Sequence, residues 1–132
     1  MLLVDTNVLV DVLQDDPQWA DWSISQLRAQ ASIHPLIINP IIYAEVSLSF
    51  STLEGLDSAV LTLALQLREI PRPALFLAAK AYAQYRKRGG SKLQVLPDFF
   101  IGAHAAVEGW PLLTRDASRF KTYFPTLDVI AP

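Results

Sequence analysis

The chain has 132 residues, of which 52% are hydrophobic and 18% are charged, and its formal net charge is −2. This length and composition predict a single globular domain over residues 1–132 that buries roughly two thirds of its unfolded surface. Because the chain has no cysteine, disulfides and thiolate metal sites are excluded, and a bound metal ion would need oxygen or imidazole ligands. The slightly acidic charge is weak evidence against binding of nucleic acid. No segment is typical of a signal peptide or approaches the ~20 apolar residues of a membrane span, which predicts a cytoplasmic protein without a membrane partner.

The first half of the chain predicts two strands and four helices. Leu2–Val4 is typical of a central strand with both faces covered, and Ile33–Ile38 of a second strand whose Pro35 indicates an edge or an irregular start. Asp15-Asp16-Pro17 and Asn39-Pro40 each combine a capping residue with a proline, a pattern that opens a helix. The four predicted helices span about 7–13, 17–30, 40–48 and 56–67.

The second half predicts an extended segment at 69–71, two helices and two short strands. One helix runs from Pro73 to the basic residues before Gly89-Gly90, and the other begins at Leu96-Pro97-Asp98 and ends at Gly109. Short strands follow at 111–113 and 128–130. Strands that alternate with helices predict an α/β fold with a parallel sheet and helices on both faces.

Four acidic residues stand at the ends of short apolar segments: Asp5, Glu45, Asp98 and Asp116. Two of them follow predicted strands directly, and two lie in the early turns of predicted helices. Because ligands gather outside the carboxyl ends of the strands in open parallel sheets, we expect these carboxylates to converge on one pocket. Such crowding raises carboxylate pKa values and destabilises the fold unless a cation is present. Mg²⁺ or Mn²⁺ is the hard ion that suits oxygen ligands.

A purely structural role is the alternative for each acid. Asp98 suits the start of a helix, and Asp116 suits the cap of a short one. Asp5 and Glu45 are harder to explain in this way, because apolar residues surround both of them in the sequence.

Four sequence blocks resemble the motifs of the PIN-domain ribonucleases, and specifically of the VapC-type toxins of type II toxin–antitoxin systems. They are VDTNVLVD at 4–11, INPIIYAEV at 38–46, LPDFFIGAHA at 96–105 and LLTRDASRF at 112–120. The resemblance spans essentially the whole chain. It implies a PIN-like three-layer α/β/α domain with a short central parallel sheet, and a Mg²⁺- or Mn²⁺-dependent endoribonuclease that a cognate antitoxin neutralises.

The same resemblance assigns roles to individual residues. It implies that the four acids are the catalytic residues and the metal ligands, and that two further polar residues, Asn7 and Thr114, orient them. Some relatives carry an additional acid close to the third one, whereas this chain has the apolar run 99–101 there. The number of bound ions, one or two, is therefore left open.

The expected chemistry is metal-assisted hydrolysis of an RNA phosphodiester, which leaves a 5′-phosphate and a 3′-hydroxyl. A metal-free ribonuclease that uses the 2′-hydroxyl would leave a cyclic phosphate instead. No histidine is required. His104 lies about 240° around its helix from Asp98, and we expect it at the core edge or on the surface. His34 is interpreted as structural.

Basic residues near the third and fourth acids are candidate RNA contacts. The alternatives are that they complement a helix C-terminus or neutralise the acids when no metal is bound. The candidates are Arg86, Lys87, Arg88, Lys92, Arg115 and Arg119. Positive mean hydropathy, +0.27, also predicts an exposed apolar patch that would suit a homodimer or an antitoxin.

Two other classes of function remain open at this stage. A phosphoaspartyl phosphatase or receiver domain also places acids at strand ends, but the phosphatase motif has a second aspartate two residues after its nucleophile, where this chain has Asn7. The other alternative is a catalytically silent PIN-like domain that binds RNA or protein.

Overall fold

A five-stranded parallel sheet forms the centre of the computed structural model, which describes residues 1–132. The strand order is β3-β2-β1-β4-β5. The strands are β1 (Leu2–Val4), β2 (Leu36–Ile38), β3 (Leu65–Leu67), β4 (Leu112–Leu113) and β5 (Val129–Ile130). The predicted α/β/α class with a short parallel sheet is confirmed.

Seven α-helices flank this sheet. They are α1 (Thr6–Leu13), α2 (Ala20–Ala31), α3 (Pro40–Val46), α4 (Leu53–Thr62), α5 (Arg72–Lys87), α6 (Leu96–Glu108) and α7 (Ser118–Tyr123). Short 3₁₀ turns lie at Ser47–Ser49 and Leu93–Val95. None of the helices combines the length and the apolar character that a bilayer crossing requires.

Three strands and one pair of helices form most of the core. Every residue of β1, β2 and β4 is buried, which explains why these strands are unbroken apolar runs in the sequence. Helix α5 buries Ala74, Ala78 and Ala81, which recur at helical spacing along one face. The rings of Phe120 and Phe124 pack on α6 at Gly102, where an added Cβ would lie 2.5 Å from a ring carbon of Phe124. The close packing of these aromatic rings therefore explains why residue 102 is a glycine.

Of the two alternatives that Pro35 indicated for the second strand, an edge position or an irregular start, the structure shows the late start and not the edge. β2 lies between β1 and β3, and it begins at Leu36, after the proline. Pro35 precedes the strand and needs no donor there, while its carbonyl accepts a hydrogen bond from the Leu2 N–H at 3.0 Å.

The predicted helix over 56–67 is wrong at both ends. It begins at Leu53, where the Thr52 hydroxyl caps it by accepting a hydrogen bond from Gly55 N–H, and it ends at Thr62. Ala64 then adopts a left-handed conformation with φ of 54°. The next three residues form β3, which pairs with β2, whereas the predicted extended segment at 69–71 lies outside the sheet.

The second helix begins three residues later than its proline indicates. Asp16 Oδ1 accepts hydrogen bonds from the N–H groups of Gln18 and Trp19, both at 2.9 Å, and so closes a turn before α2 starts at Ala20. The capping signal is real, but it caps this turn.

Candidate active site

The sheet changes its winding direction between β1 and β4. From β1 the chain moves outward to β2 and β3, and later it returns to the other side of β1 to form β4 and β5. The chain leaves β1 in one direction across the sheet and leaves β4 in the other. This opens a crevice at the carboxyl ends of β1 and β4, which is where open α/β sheets bind ligands. Asp5 follows β1 and Thr114 follows β4, so both lie at this crevice.

Asp5 is a buried carboxylate at the start of α1. Its residue is 4% exposed, its Oδ1 accepts a hydrogen bond from Thr6 N–H at 2.7 Å, and its Oδ2 accepts one from the Thr114 hydroxyl at 2.8 Å. Burial, helped by the nearby charges of Asp98 and Glu45, raises the pKa of Asp5 to about 7, and the two hydrogen bonds oppose this rise. The protein alone therefore stabilises the charge of Asp5 poorly.

Glu45 lies in the second turn of α3, as the sequence predicts. The hydroxyl of Thr6 donates a 2.6 Å hydrogen bond to Glu45 Oε1, which ties α3 to the start of α1. Asn39 fixes the beginning of α3 by accepting a hydrogen bond from Ile42 N–H, and Pro40 occupies the first position of the helix.

Asp98 lies in the first turn of α6 and forms an ion pair across to α7. Arg119 Nη1 is 2.7 Å from Asp98 Oδ2. Burial raises the pKa of Asp98, contact with Arg119 opposes this rise, and the charges of Glu45 and Asp116 add to it. Asp98 is thus an electrostatic neighbour of the other three acids, since the charge on Asp98 also acts on Asp5.

Asp116 is exposed in the loop after β4. It is not the cap of α7, because Ala117 occupies that position. Its backbone N–H donates to the Thr114 hydroxyl oxygen at 3.1 Å, so the same hydroxyl contacts both Asp5 and the backbone of Asp116.

The four acids are neighbours, but they do not form a closed set of ligands. No three histidine, aspartate or glutamate side chains are arranged to hold a metal ion as they stand. Each acid instead accepts a hydrogen bond from a partner within the chain: Asp5 from Thr6 and Thr114, Glu45 from Thr6, Asp98 from Arg119 and Asp116 from Ser118. Metal binding by these residues stays a prediction.

The chemistry of the donors nevertheless suits a hard dication. All four candidate ligands are carboxylates, and the buried Asp5 has a raised pKa and no basic side chain paired to it. A dication beside Asp5 would supply the missing positive charge, and oxygen donors are those that Mg²⁺ and Mn²⁺ prefer. The residues therefore fit such an ion.

Asn7 and Thr114 connect the two segments that carry acids. Asn7 Oδ1 accepts a hydrogen bond from Arg115 N–H at 3.2 Å, and Asn7 Nδ2 lies 3.4 Å from the hydroxyl of Thr114. Thr114 is fully buried. This geometry suits the orienting role that the resemblance implies for both residues.

An ion pair between a buried acid and a partly exposed arginine lies beside the site and is not predicted from the sequence. Asp11 on α1 is 2% exposed, and its Oδ2 accepts hydrogen bonds from Arg115 Nε and from the Ser23 hydroxyl, both at 2.9 Å. The Arg115 guanidinium also lies over the ring of Trp19, 5.5 Å from its centre. Arg115 therefore pairs with Asp11 and with none of the four acids, and contact of its guanidinium with RNA stays a prediction. The sequence signal that could have indicated this pair is Asp11 itself, an acid within the apolar run of α1.

His104 is fully buried, so the prediction of a core-edge or surface position is wrong. Its Nδ1 lies 3.1 Å from Asn39 Nδ2, and its ring packs against Trp110 with centres 5.2 Å apart. Burial lowers the pKa of His104 to about 4. The ring therefore joins α6 to the start of α3, and it takes no part in the acid cluster.

The basic segment formed by the last turn of α5 and the loop after it contacts aromatic rings of α5 and α7. The guanidinium of Arg88 lies over the ring of Tyr123, 5.3 Å from its centre, and Lys92 N–H donates to the Tyr85 hydroxyl at 3.2 Å. The other predicted contacts on this segment, Arg86 and Lys87, are exposed. Tyr123 is four residues after Arg119 on α7, so Arg88 lies about one helical turn from the residue that contacts Asp98.

Comparison with known proteins identifies the family. A sequence model of the PIN domain matches residues 2–124, so the chain belongs to the PIN domain family. The predicted resemblance is thereby confirmed. No curated protein matches the chain in sequence.

Several solved toxin–antitoxin structures have the same fold. VapBC2 from Rickettsia felis, bound to a promoter DNA fragment, is 20% identical, with 99% of this chain and 98% of that one covered and a TM-score of 0.75. VapBC-1 from nontypeable Haemophilus influenzae is 18% identical, with coverages of 98% and 96% and a TM-score of 0.73. DNA-bound VapBC from Salmonella typhimurium is 18% identical, with coverages of 99% and 98% and a TM-score of 0.72. At these identities the likeness describes the fold.

Proposed function

We propose that this PIN domain is the toxin of a toxin–antitoxin pair and a Mg²⁺- or Mn²⁺-dependent endoribonuclease. The observation that carries the proposal is Asp5, a buried carboxylate with a raised pKa at the switch point of the sheet, with Asp98 and Glu45 as charged neighbours. Crowding of these carboxylates destabilises the folded chain, and a bound dication would offset their negative charge.

The carboxylates would hold the ion, and the hydroxyls would hold the carboxylates. Asp5, Asp98, Glu45 and Asp116 are the proposed ligands. Thr114 and Thr6 orient Asp5 and Glu45 through hydrogen bonds to Asp5 Oδ2 and Glu45 Oε1, and the Thr6 N–H binds Asp5 Oδ1. Each of these carboxylate oxygens keeps a second lone pair for a metal ion. When bound, the ion supplies Lewis-acid chemistry: it makes water more acidic and offsets the charge that develops on the phosphate. The products would be a 5′-phosphate and a 3′-hydroxyl.

Basic side chains on α5, on α7 and between α5 and α6 suit the RNA backbone. Arg88 contacts Tyr123, which is one turn of α7 away from Arg119. Together with the exposed Arg86, Lys87 and Lys92, these two arginines form what we call the basic strip. We propose that the strip binds phosphates next to the bond that is cut.

A cognate antitoxin and a second copy of the chain are the proposed protein partners. Large apolar side chains are exposed on several elements, including Leu48, Leu61 and Phe76, which supports the predicted apolar contact surface. The proposed location is the cytoplasm.

A catalytically silent domain is the second candidate, and the Arg119–Asp98 ion pair favours it. This pair partly neutralises the acids without any metal. Nothing in the structure favours a phosphatase or receiver, because the amide of Asn7 is engaged with Thr114 and Arg115.

Cleavage of total RNA by purified protein separates these functions. The reaction is run with Mg²⁺, with Mn²⁺ or with EDTA, and the product ends are mapped. We expect 5′-phosphate ends with either metal and none with EDTA. The Asp98→Asn variant should be inactive, while Glu108→Gln, which changes an exposed acid at the far end of the same helix, should retain activity.

Two results would contradict the proposal. RNA that stays intact with both metals would favour the silent domain. Cuts that persist in EDTA and leave cyclic phosphates would show that the hydrolysis does not need a metal ion.

A further inference from the structure

Arg119 is the only basic side chain that forms an ion pair with any of the four acids. Its Nη1 lies 2.7 Å from Asp98 Oδ2, and the two side chains are 28% and 33% exposed. Arg119 makes no other side-chain hydrogen bond, and it does not cap α7. Asp98 is therefore the only hydrogen-bond partner of the Arg119 side chain.

The pair lies where a metal ion and a phosphate would both be found. Asp98 has Glu45 and Asp116 as charged neighbours, so a cation is favourable at this position. On the other side, α7 leads from Arg119 to Tyr123, over which Arg88 lies. A guanidinium released from Asp98 thus remains between the acids and the basic strip.

We propose that Arg119 is an exchangeable counter-ion: it holds Asp98 when no metal is bound, and it binds a phosphate of the RNA once a dication has taken Asp98. This inference rests on the proposed ribonuclease function. A partly exposed ion pair is weak enough to be exchanged in this way. The planar guanidinium also suits a phosphodiester, to which it donates two parallel hydrogen bonds.

Calorimetric titration of the RNA-free protein with Mn²⁺ tests the first half. Because Arg119 competes with the ion for Asp98, Arg119→Gln should bind Mn²⁺ about two- to five-fold more tightly than the unaltered chain. Lys121→Gln is the matched control, because Lys121 is an exposed cation on the same helix without an acidic partner. It should leave the Mn²⁺ affinity unchanged, and Arg119→Lys should keep it near that of the unaltered chain.

Steady-state cleavage of an RNA oligonucleotide tests the second half. Loss of the guanidinium should raise KM about ten-fold in Arg119→Gln, with less effect on kcat and little effect of Lys121→Gln on either constant. A split of this kind distinguishes a substrate contact from a residue that only supports the fold.

Each failure has a distinct meaning. If the unaltered chain binds Mn²⁺ and Arg119→Gln binds it equally or more weakly, the competition is disproved while the proposed function stands. If the KM of Arg119→Gln is unchanged, the phosphate contact is disproved. If neither protein takes up Mn²⁺, this inference and the proposed function are both overturned.

Discussion

Asp5 combines features that oppose one another. Two hydrogen bonds hold its carboxylate in place, yet burial and two neighbouring acids raise its pKa from 3.8 to about 7. Between these two pH values the native state binds more protons at this position than the unfolded state does. The contribution of Asp5 is therefore most favourable below pH 3.8 and is lost as the pH rises to about 7.

Asp5→Asn should stabilise the metal-free protein at neutral pH. We expect its melting temperature in EDTA at pH 8 to exceed that of the unaltered chain by about 5–10 °C, and the difference to shrink towards pH 4. Thermal unfolding across this pH range measures it. In addition, Mn²⁺ should stabilise only the unaltered chain. A lower melting temperature for Asp5→Asn at pH 8 would assign Asp5 a structural role.

Asp11 has the opposite character, because its charge is fully paired. Asp11→Ala removes the partner of Arg115 and of the Ser23 hydroxyl and should lower the free energy of unfolding by about 3 kcal/mol in urea titrations. Glu69→Ala, at an exposed acid without a side-chain partner, should change it by less than about 0.5 kcal/mol. Equal, small effects of Asp11→Ala and Glu69→Ala would show that the Arg115–Asp11 pair contributes nothing to stability.

At the scale of elements, His104 and Asn39 join the helices that carry Asp98 and Glu45. The pKa of His104 is lowered from 6.5 to about 4, so the unfolded state binds more protons between these values. The stability that the neutral ring contributes is complete above pH 6.5 and is lost as the pH falls to about 4.

His104→Leu should be less stable than the unaltered chain by about 1–2 kcal/mol at pH 7, because Asn39 Nδ2 loses its partner. The difference should shrink as the pH falls from 6.5 to about 4. Comparison of the two proteins at each pH cancels the opposite slope of Asp5. A difference that stays constant with pH would mean that His104 does not titrate in this range.

Element signals in the sequence were strongest where one residue has a special geometry. Asn39-Pro40 opens α3 as predicted, and Gly109 ends α6 with φ of 71°, a value that glycine adopts without strain. β3 was missed although the sequence carries a signal for it, because Leu61, Leu63, Leu65 and Leu67 recur every second residue, the period of a strand. The strand itself is only three residues long and follows α4 closely, and its pairing with β2 is a tertiary effect.

The acids of the site could be predicted, but their partners could not. A carboxylate in an apolar segment is visible in the sequence. Its position at the end of a predicted strand also indicates the edge of the sheet at which it lies. The ion pairs Arg115–Asp11 and Arg119–Asp98 join residues 104 and 21 positions apart, and only the fold decides which acid each arginine meets. This is why Arg115 was expected at the four acids and is found at Asp11.

For the molecule as a whole, charge distribution matters more than net charge. A chain with a net charge of −2 can still bind RNA if its cations lie together. The double variant Arg86→Ala, Arg88→Ala should weaken RNA binding and reduce the slope of log affinity against log salt by about 1.4, which corresponds to two lost phosphate contacts on a single strand.

Filter binding at several salt concentrations measures this slope. Arg72→Ala, Lys80→Ala is the control, since it removes two exposed cations of the same helix that precede its basic last turn. If both double variants change the slope equally, binding depends on overall charge, and the basic strip has no special role.

The most direct test of the proposed metal site is anomalous diffraction from crystals of the protein soaked in Mn²⁺. The proposed metal site predicts one or two peaks about 2.1 Å from carboxylate oxygens of Asp5 and Asp98, with Arg119 displaced from Asp98. Mn²⁺ bound only at other positions, with the Arg119–Asp98 ion pair intact, would contradict it.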